Sequence, residues 1–183
     1  MRGKWGGVVS VSLDDLRAKI LVVSNFPEEG LSFQDLSLLL ADPDCFRTAV
    51  DLLADWARPK KPEIVLGAEA GGFVLGGTLA YVLGTGFVAA RRADLPAGDL
   101  GRADWDIDGG ADPFDLTEGL IPSGSRVLVH DDLLATGATA QAKVELVEQL
   151  GGEVVGIAFV VELQLLNGRR RLADHDVHSL IKL

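Results

Sequence analysis

The sequence predicts an α/β fold: a central parallel sheet flanked by helices, with a small N-terminal flap and a mobile lid loop on one edge. Three observations carry this. Apolar β-type runs at residues 63–66, 86–90, 126–130 and 153–162 alternate with stretches of helical spacing at 73–83 and 139–150. Two strand-to-helix junctions, GAEAGG at 67–72 and ATGATA at 135–140, are glycine-bearing turns. Between them, residues 91–124 hold prolines, glycines and scattered acids without helical or strand periodicity. Strands alternating with helices favour parallel pairing through right-handed crossovers, and ligands in such sheets bind at the carboxyl ends of the strands. Both glycine turns belong to that edge.

In chain order, residues 12–19 read as a short capped helix, with Ser12 at its start, Asp14 and Asp15 in the first turn and Lys19 at its end. Residues 20–23 are a short β run, and 25–30 a loop punctuated by Pro27 and Gly30. Phe46, Val50, Leu53, Ala54 and Ala57 follow helical spacing over 43–57, with Asp42 as N-cap and Pro43 at the first helical position. The long loop at 91–124 ends in a short strand pair around Phe114 to Leu116, and a loop of that length on a ligand-binding edge suits a lid.

Composition narrows the function. The 183 residues suit one domain, and a net charge of −10 disfavours nucleic acid as a partner. The single cysteine, Cys45, permits no internal disulfide and suits a packed position. The N-terminal stretch has no apolar core of the signal-peptide kind and no run is long enough to span a membrane, so the expectation is a cytoplasmic protein with no membrane partner.

The chemistry-bearing segment is residues 127–139, VLVHDDLLATGAT. An apolar strand delivers Asp131 and Asp132 to its carboxyl end, and the turn that follows points backbone N–H groups and threonine hydroxyls at an anion. Acids beside a phosphate cradle suit a sugar phosphate: the cradle takes the phosphate and the carboxylates accept from vicinal hydroxyls. His130 alternates away from Asp131 along the strand and stays outside the catalytic set. Arg169, Arg170 and Arg171 read as a solvated turn or subunit contact rather than a phosphate site.

This segment resembles the phosphoribosyl-diphosphate (PRPP) motif of type I phosphoribosyltransferases, with Ala138 where a second glycine is usual. The stretches FPEEGLSFQD at 26–35, GAEAGGFVLGGTLA at 67–80 and LLNGRRRLADHDVHSLIKL at 165–183 are similar to the adenine branch of that family. The resemblance implies one domain over 1–183, a base-binding hood from 1–40 and 163–183, and a lid over 91–124. It implies that Asp131 and Asp132 meet the ribose hydroxyls, and that Ala135, Thr136, Gly137, Ala138 and Thr139 hold the 5-phosphate. Ser32, Phe33 and Gln34 would face the base, Ala70, Gly71, Gly72, Arg91 and Arg92 the diphosphate, and Asp108 would complete the catalytic acids. Mg²⁺ is the implied cofactor, adenine or a related purine and a sugar-phosphate diphosphate the implied partners, and a homodimer the implied assembly.

The chain departs from the branch where cations are usual: Gly71 and Gln34 stand at arginine positions, Asp94 at a lysine position, and Asp108-Gly109-Gly110 replaces Glu-Tyr-Gly. Three readings follow. One is transfer from PRPP to adenine, giving AMP and diphosphate. Another is transfer to a purine from a bulkier donor, such as a ketose 6-phosphate 2-diphosphate in nucleoside antibiotic biosynthesis, using room opened at Gly71. The third is a catalytically inactive regulator that binds PRPP or a nucleotide.

Overall fold

The computed structural model describes residues 11–24, 32–69, 71–92, 114–116 and 119–183. Helix α1 (Leu13–Ala18) starts as its sequence dictates: Ser12 Oγ accepts from Asp15 N at 3.2 Å, and Asp15 Oδ2 accepts from Ser12 N at 2.8 Å. Strands β1 (Leu21–Ser24) and β2 (Ser32–Asp35) pair antiparallel, Leu21 opposite Asp35. Asp35 Oδ1 accepts from Ser37 N at 2.7 Å, leading into α2 (Ser37–Ala41). Asp42 Oδ1 accepts from both Asp44 N and Cys45 N at 3.1 Å, opening α3 (Pro43–Ala57) with proline first, where no intrahelical N–H is needed. Ala49, Val50, Leu53, Ala54 and Ala57 are buried along one stripe of α3, and Cys45 is buried with them.

The chain divides into two compact units, Met1–Ala49 and Val50–Leu183, with the division falling within α3. The first carries α1, the β1–β2 hairpin and α2, with Lys19 Nζ 2.9 Å from Asp42 Oδ2.

The second unit is built on a sheet of six strands. Strands β3 (Ile64–Ala68), β4 (Gly86–Arg92), β6 (Arg126–Leu134), β7 (Glu153–Glu162) and β8 (Val177–Lys182) are parallel, and β5 (Phe114–Asp115) is antiparallel on β4, in the order β5-β4-β3-β6-β7-β8. Helix α4 (Gly71–Leu83) joins β3 to β4, and α5 (Ala138–Gln149) joins β6 to β7. All of β3 and the last seven residues of β7 are buried, as continuous apolar strands in a covered parallel sheet must be. The core runs through Leu66, Val129, Val144, Val147, Ile157 and Phe159.

Two departures from the sequence reading bear on the site. Strand β6 extends four residues past the expected end at His130, so Asp131 lies within the ladder, opposite Phe159, rather than beyond it. The cause is β7, whose ten residues offer partners as far as Leu134 opposite Glu162. The 163–183 segment, read without a strand, forms two 3₁₀ turns (Gln164–Leu166 and Gly168–Leu172) and then β8 on the sheet edge. Most of the lid segment, 93–113, lies outside the described residues, as do Ala70, Asp94 and Asp108.

Candidate active site

The end of β6, the first turn of α4, the turn into α5 and the 3₁₀ turn at Gly168–Leu172 meet at one edge of the sheet. The turn after β6 takes its shape from Gly137, which adopts φ +83° and caps α5 without a side-chain hydrogen bond. The first N–H groups of α5 are therefore left for another acceptor, and the helix dipole favours an anion there. Residues 133–140 line a small cavity of about 60 Å³ around this turn. Thr136 and Thr139 are exposed beside it, so both hydroxyls are available.

Gly168 holds that turn in place. A Cβ on Gly168 would lie 2.3 Å from Ala135 O and 2.9 Å from Gly137 N, so only a glycine lets these backbones meet. Arg169 fixes the neighbouring turn: Nε and Nη2 donate to Glu162 at 2.7–3.1 Å, and Nη1 donates to Val177 O at 2.8 Å. The Arg169 guanidinium in turn holds the Glu162 carboxyl below its ordinary pKa. Arg170 and Arg171 stay exposed and, with Thr136, Leu166 and Asn167, line a broad depression of about 500 Å³. The basic run thus lies beside the 135–139 turn, a placement its charge pattern alone did not reveal.

The two acids have different surroundings. Asp131 is nearly buried; its Oδ2 accepts from Lys143 Nζ at 2.5 Å and its Oδ1 from Asp132 N at 3.2 Å. The Asp132 carboxylate has no lysine on it among the described residues; its hydrogen bonds come from its own backbone N–H and that of Leu133. Burial, then the neighbouring Asp131 charge, push its pKa up to about 6. Its carboxylate rests on the start of α4, where a Cβ on Gly71 would meet Asp132 Oδ2 at 1.9 Å. Gly72 lies against Asp131 Oδ1, 3.2 Å from the corresponding Cβ position. The expected free room at Gly71 is therefore taken by the Asp132 carboxylate, and a side chain at 71 would have to displace it. His130 is fully buried, and burial lowers its pKa to about 4, so it is neutral near pH 7 and suited to packing.

Of the expected diphosphate residues, Gly71 and Gly72 adjoin the acid pair, while Arg91 and Arg92 end β4 and Arg91 is exposed. Ser32, Phe33 and Gln34 form β2 in the N-terminal unit; Gln34 is buried and Phe33 is 47% exposed, which is too open for a core residue. Lys143 went unread in the sequence. Its signal was a lysine on an otherwise apolar face, flanked by Ala140, Val144 and Val147.

The family of phosphoribosyl transferase domains matches residues 40–181. An adenine phosphoribosyltransferase of Clostridium perfringens is 43% identical over 166 residues, covering 91% of this chain and 96% of that protein. The chain belongs to the adenine phosphoribosyltransferase family. Among solved members, the enzyme of Thermoanaerobacter pseudethanolicus superposes with a TM-score of 0.87 at 35% identity, over 94% of this chain and 100% of that one. The Saccharomyces cerevisiae enzyme, solved with an imino-altritol bisphosphate and adenine, gives 0.82 at 37% identity, over 92% and 97%. Within this adenine phosphoribosyltransferase fold the central parallel sheet flanked by helices is as the sequence predicted, and these relatives favour a PRPP-dependent transferase over the bulkier-donor and regulator readings.

Proposed function

We propose that the chain transfers the phosphoribosyl group of PRPP to adenine. A purine ring nitrogen forms a bond to the anomeric carbon as the carbon–oxygen bond to diphosphate breaks. The electron pair leaves with the diphosphate, the purine loses its N–H proton, and the product is AMP. The observation that supports this most directly is the juxtaposition of Asp131 and Asp132 with the uncapped start of α5. Residues 135–139 take the 5-phosphate on backbone N–H groups and threonine hydroxyls, and the two carboxylates take the ribose hydroxyls. The α4 start, with Gly71 and Gly72, faces the diphosphate side, assisted by Arg91 and Arg92. Ser32, Phe33 and Gln34 face the base, and Asp108 is the acid toward the purine ring; both roles rest on the family resemblance.

Among the described residues, no three or more His, Cys, Asp or Glu side chains converge on a cage for a metal ion. Mg²⁺ belongs to the proposal as an ion that would accompany the donor and offset its phosphate charge. The proposal includes a homodimer, which rests on the family resemblance. It also includes a cytoplasmic setting, where PRPP and free purine meet; no helix among the described residues is long and apolar enough to cross a membrane.

The test is AMP formation, read by mass, from PRPP, adenine and Mg²⁺, with hypoxanthine and guanine in parallel and a ketose 6-phosphate 2-diphosphate as competing donor. The expected result is AMP with stoichiometric diphosphate release and little reaction with the other purines. Diphosphate release only from the ketose donor, or from neither, would overturn the reading. Sedimentation at micromolar concentration tests the dimer.

A further inference from the structure

Lys143 is fully buried in the second turn of α5, a twelve-residue helix. Every general consideration opposes it there. A buried ammonium loses its hydration, and the N-terminal half of a helix is the unfavourable end for a cation. A buried ion pair is commonly no more stabilising than apolar side chains of the same volume, and α5 presents Ala140, Val144 and Val147 around it. Its contacts indicate what it does. Nζ lies 2.5 Å from Asp131 Oδ2 and 3.3 Å from His130 O, so it ties the end of β6 to the helix that begins at the phosphate turn. With Asp132 N on Oδ1, both oxygens of Asp131 are engaged, whereas the Asp132 carboxylate has no lysine and packs against the start of α4 at Gly71.

We propose that Lys143 is a positioning residue for the sugar donor: it fixes the Asp131 carboxylate beside Asp132 and cancels one of the two adjacent charges, so that the acid pair can receive the donor's hydroxyls. This rests on the PRPP reading above. A polyanionic donor approaching two uncompensated carboxylates meets repulsion from both; Lys143 reduces this to one without placing a cation in the site. Among the described residues, Asp131 on the same strand and Lys143 on α5 are the charged groups acting on Asp132. Helix α4 presents Gly71 and Gly72, and His130 is neutral above about pH 4.

The test uses steady-state kinetics, with PRPP and adenine varied separately across pH, on wild type, Lys143→Met, Asp131→Asn and the double variant. Lys143→Met is expected to raise KM for PRPP at least ten-fold and leave KM for adenine within two-fold. It should also move the acid limb of kcat/KM for PRPP to higher pH, because Asp132 keeps its anionic neighbour and loses its cation. In the double variant both influences are gone, and the limb returns toward the wild-type position. Titration of the donor's own phosphates is common to all four proteins. An unmoved limb with both KM values rising alike would make Lys143 merely structural and overturn the proposal. Should Lys143→Met fail to fold, the comparison passes to the double variant, whose buried pair is uncharged, against Asp131→Asn; identical acid limbs in those two overturn it equally. A wild type that makes no AMP from PRPP and adenine overturns the functional reading and the proposal with it. A wild type that does, with Lys143→Met indistinguishable from it, overturns the proposal alone.

Discussion

Asp132 and His130 lie two positions apart on β6 and titrate in opposite senses. The folded pKa of Asp132, about 6, is raised above its ordinary 3.8, so between those values the fold holds a proton that the unfolded chain has released. Stability from this group therefore falls as pH rises from about 4 to about 6. His130 is lowered from 6.5 to about 4, and its contribution is present above pH 6.5 and lost as pH falls through that window. The two slopes oppose each other in the wild type. Asp132→Asn removes one of them, so the variant is expected to be more stable than wild type at pH 7 by roughly 1–3 kcal/mol. It should also lose stability more steeply on acidification from 6.5 toward 4. The same variant should bind PRPP at least about ten-fold more weakly, since a neutral amide is a poorer acceptor for the ribose hydroxyls. Thermal melts from pH 4 to 8 and PRPP titration measure both. A variant that melts below wild type at pH 7 would show that the Asp132 carboxylate is stabilising where it sits.

At the scale of elements, the 135–139 turn depends on a neighbour distant in sequence. Gly168→Ala puts a Cβ 2.3 Å from Ala135 O, and backbone cannot yield as a side-chain tip can. The expected cost is about 1–3 kcal/mol of stability, as for overpacking. Binding of ribose 5-phosphate should weaken as the 135–139 turn is pushed off its geometry. Calorimetric titration checks it: ribose 5-phosphate binding equal to wild type would mean that the turn keeps its shape without this support. The contact also shows what was legible in the sequence. Asp131, Asp132 and the glycine turn were readable because strand, acids, turn and helix are consecutive, and local chemistry dictates each. Helix α3 was readable from its cap, its proline and its apolar stripe. The extension of β6 was not, because strand length depends on what β7 offers alongside. Strand β8 was not either: its VHSLIK mixes polar and apolar residues, and its place is given by pairing with β7. Lys143 and Gly168 act through contacts 12 to 33 positions away along the chain, which no window of sequence displays.

At the scale of the whole molecule, the charge of −10 opposes the substrate that the site is built to hold. PRPP carries a phosphate and a diphosphate, so an approaching donor meets like charge beyond the first contacts. Within the proposed site, favourable interactions come at close range, from Arg91, Arg92, Arg170, Arg171 and the start of α5. The two influences differ in range. The net charge acts over the screening distance, about 30 Å at 0.01 M salt and about 8 Å at 0.15 M. The arginines and helix terminus act at close contact, where salt screens less. Raising ionic strength over that interval at fixed free Mg²⁺ should therefore speed PRPP association several-fold, the reverse of the behaviour of a basic cleft that steers anions inward. Chelating Mg²⁺ should slow association further, because the bare donor carries about two more negative charges. Adenine, uncharged near pH 7, serves as the internal control, and its KM should change little under either treatment. Stopped-flow binding of PRPP across this salt range decides the point. An association rate that falls with salt would mean that local cations govern the approach as well as the contact.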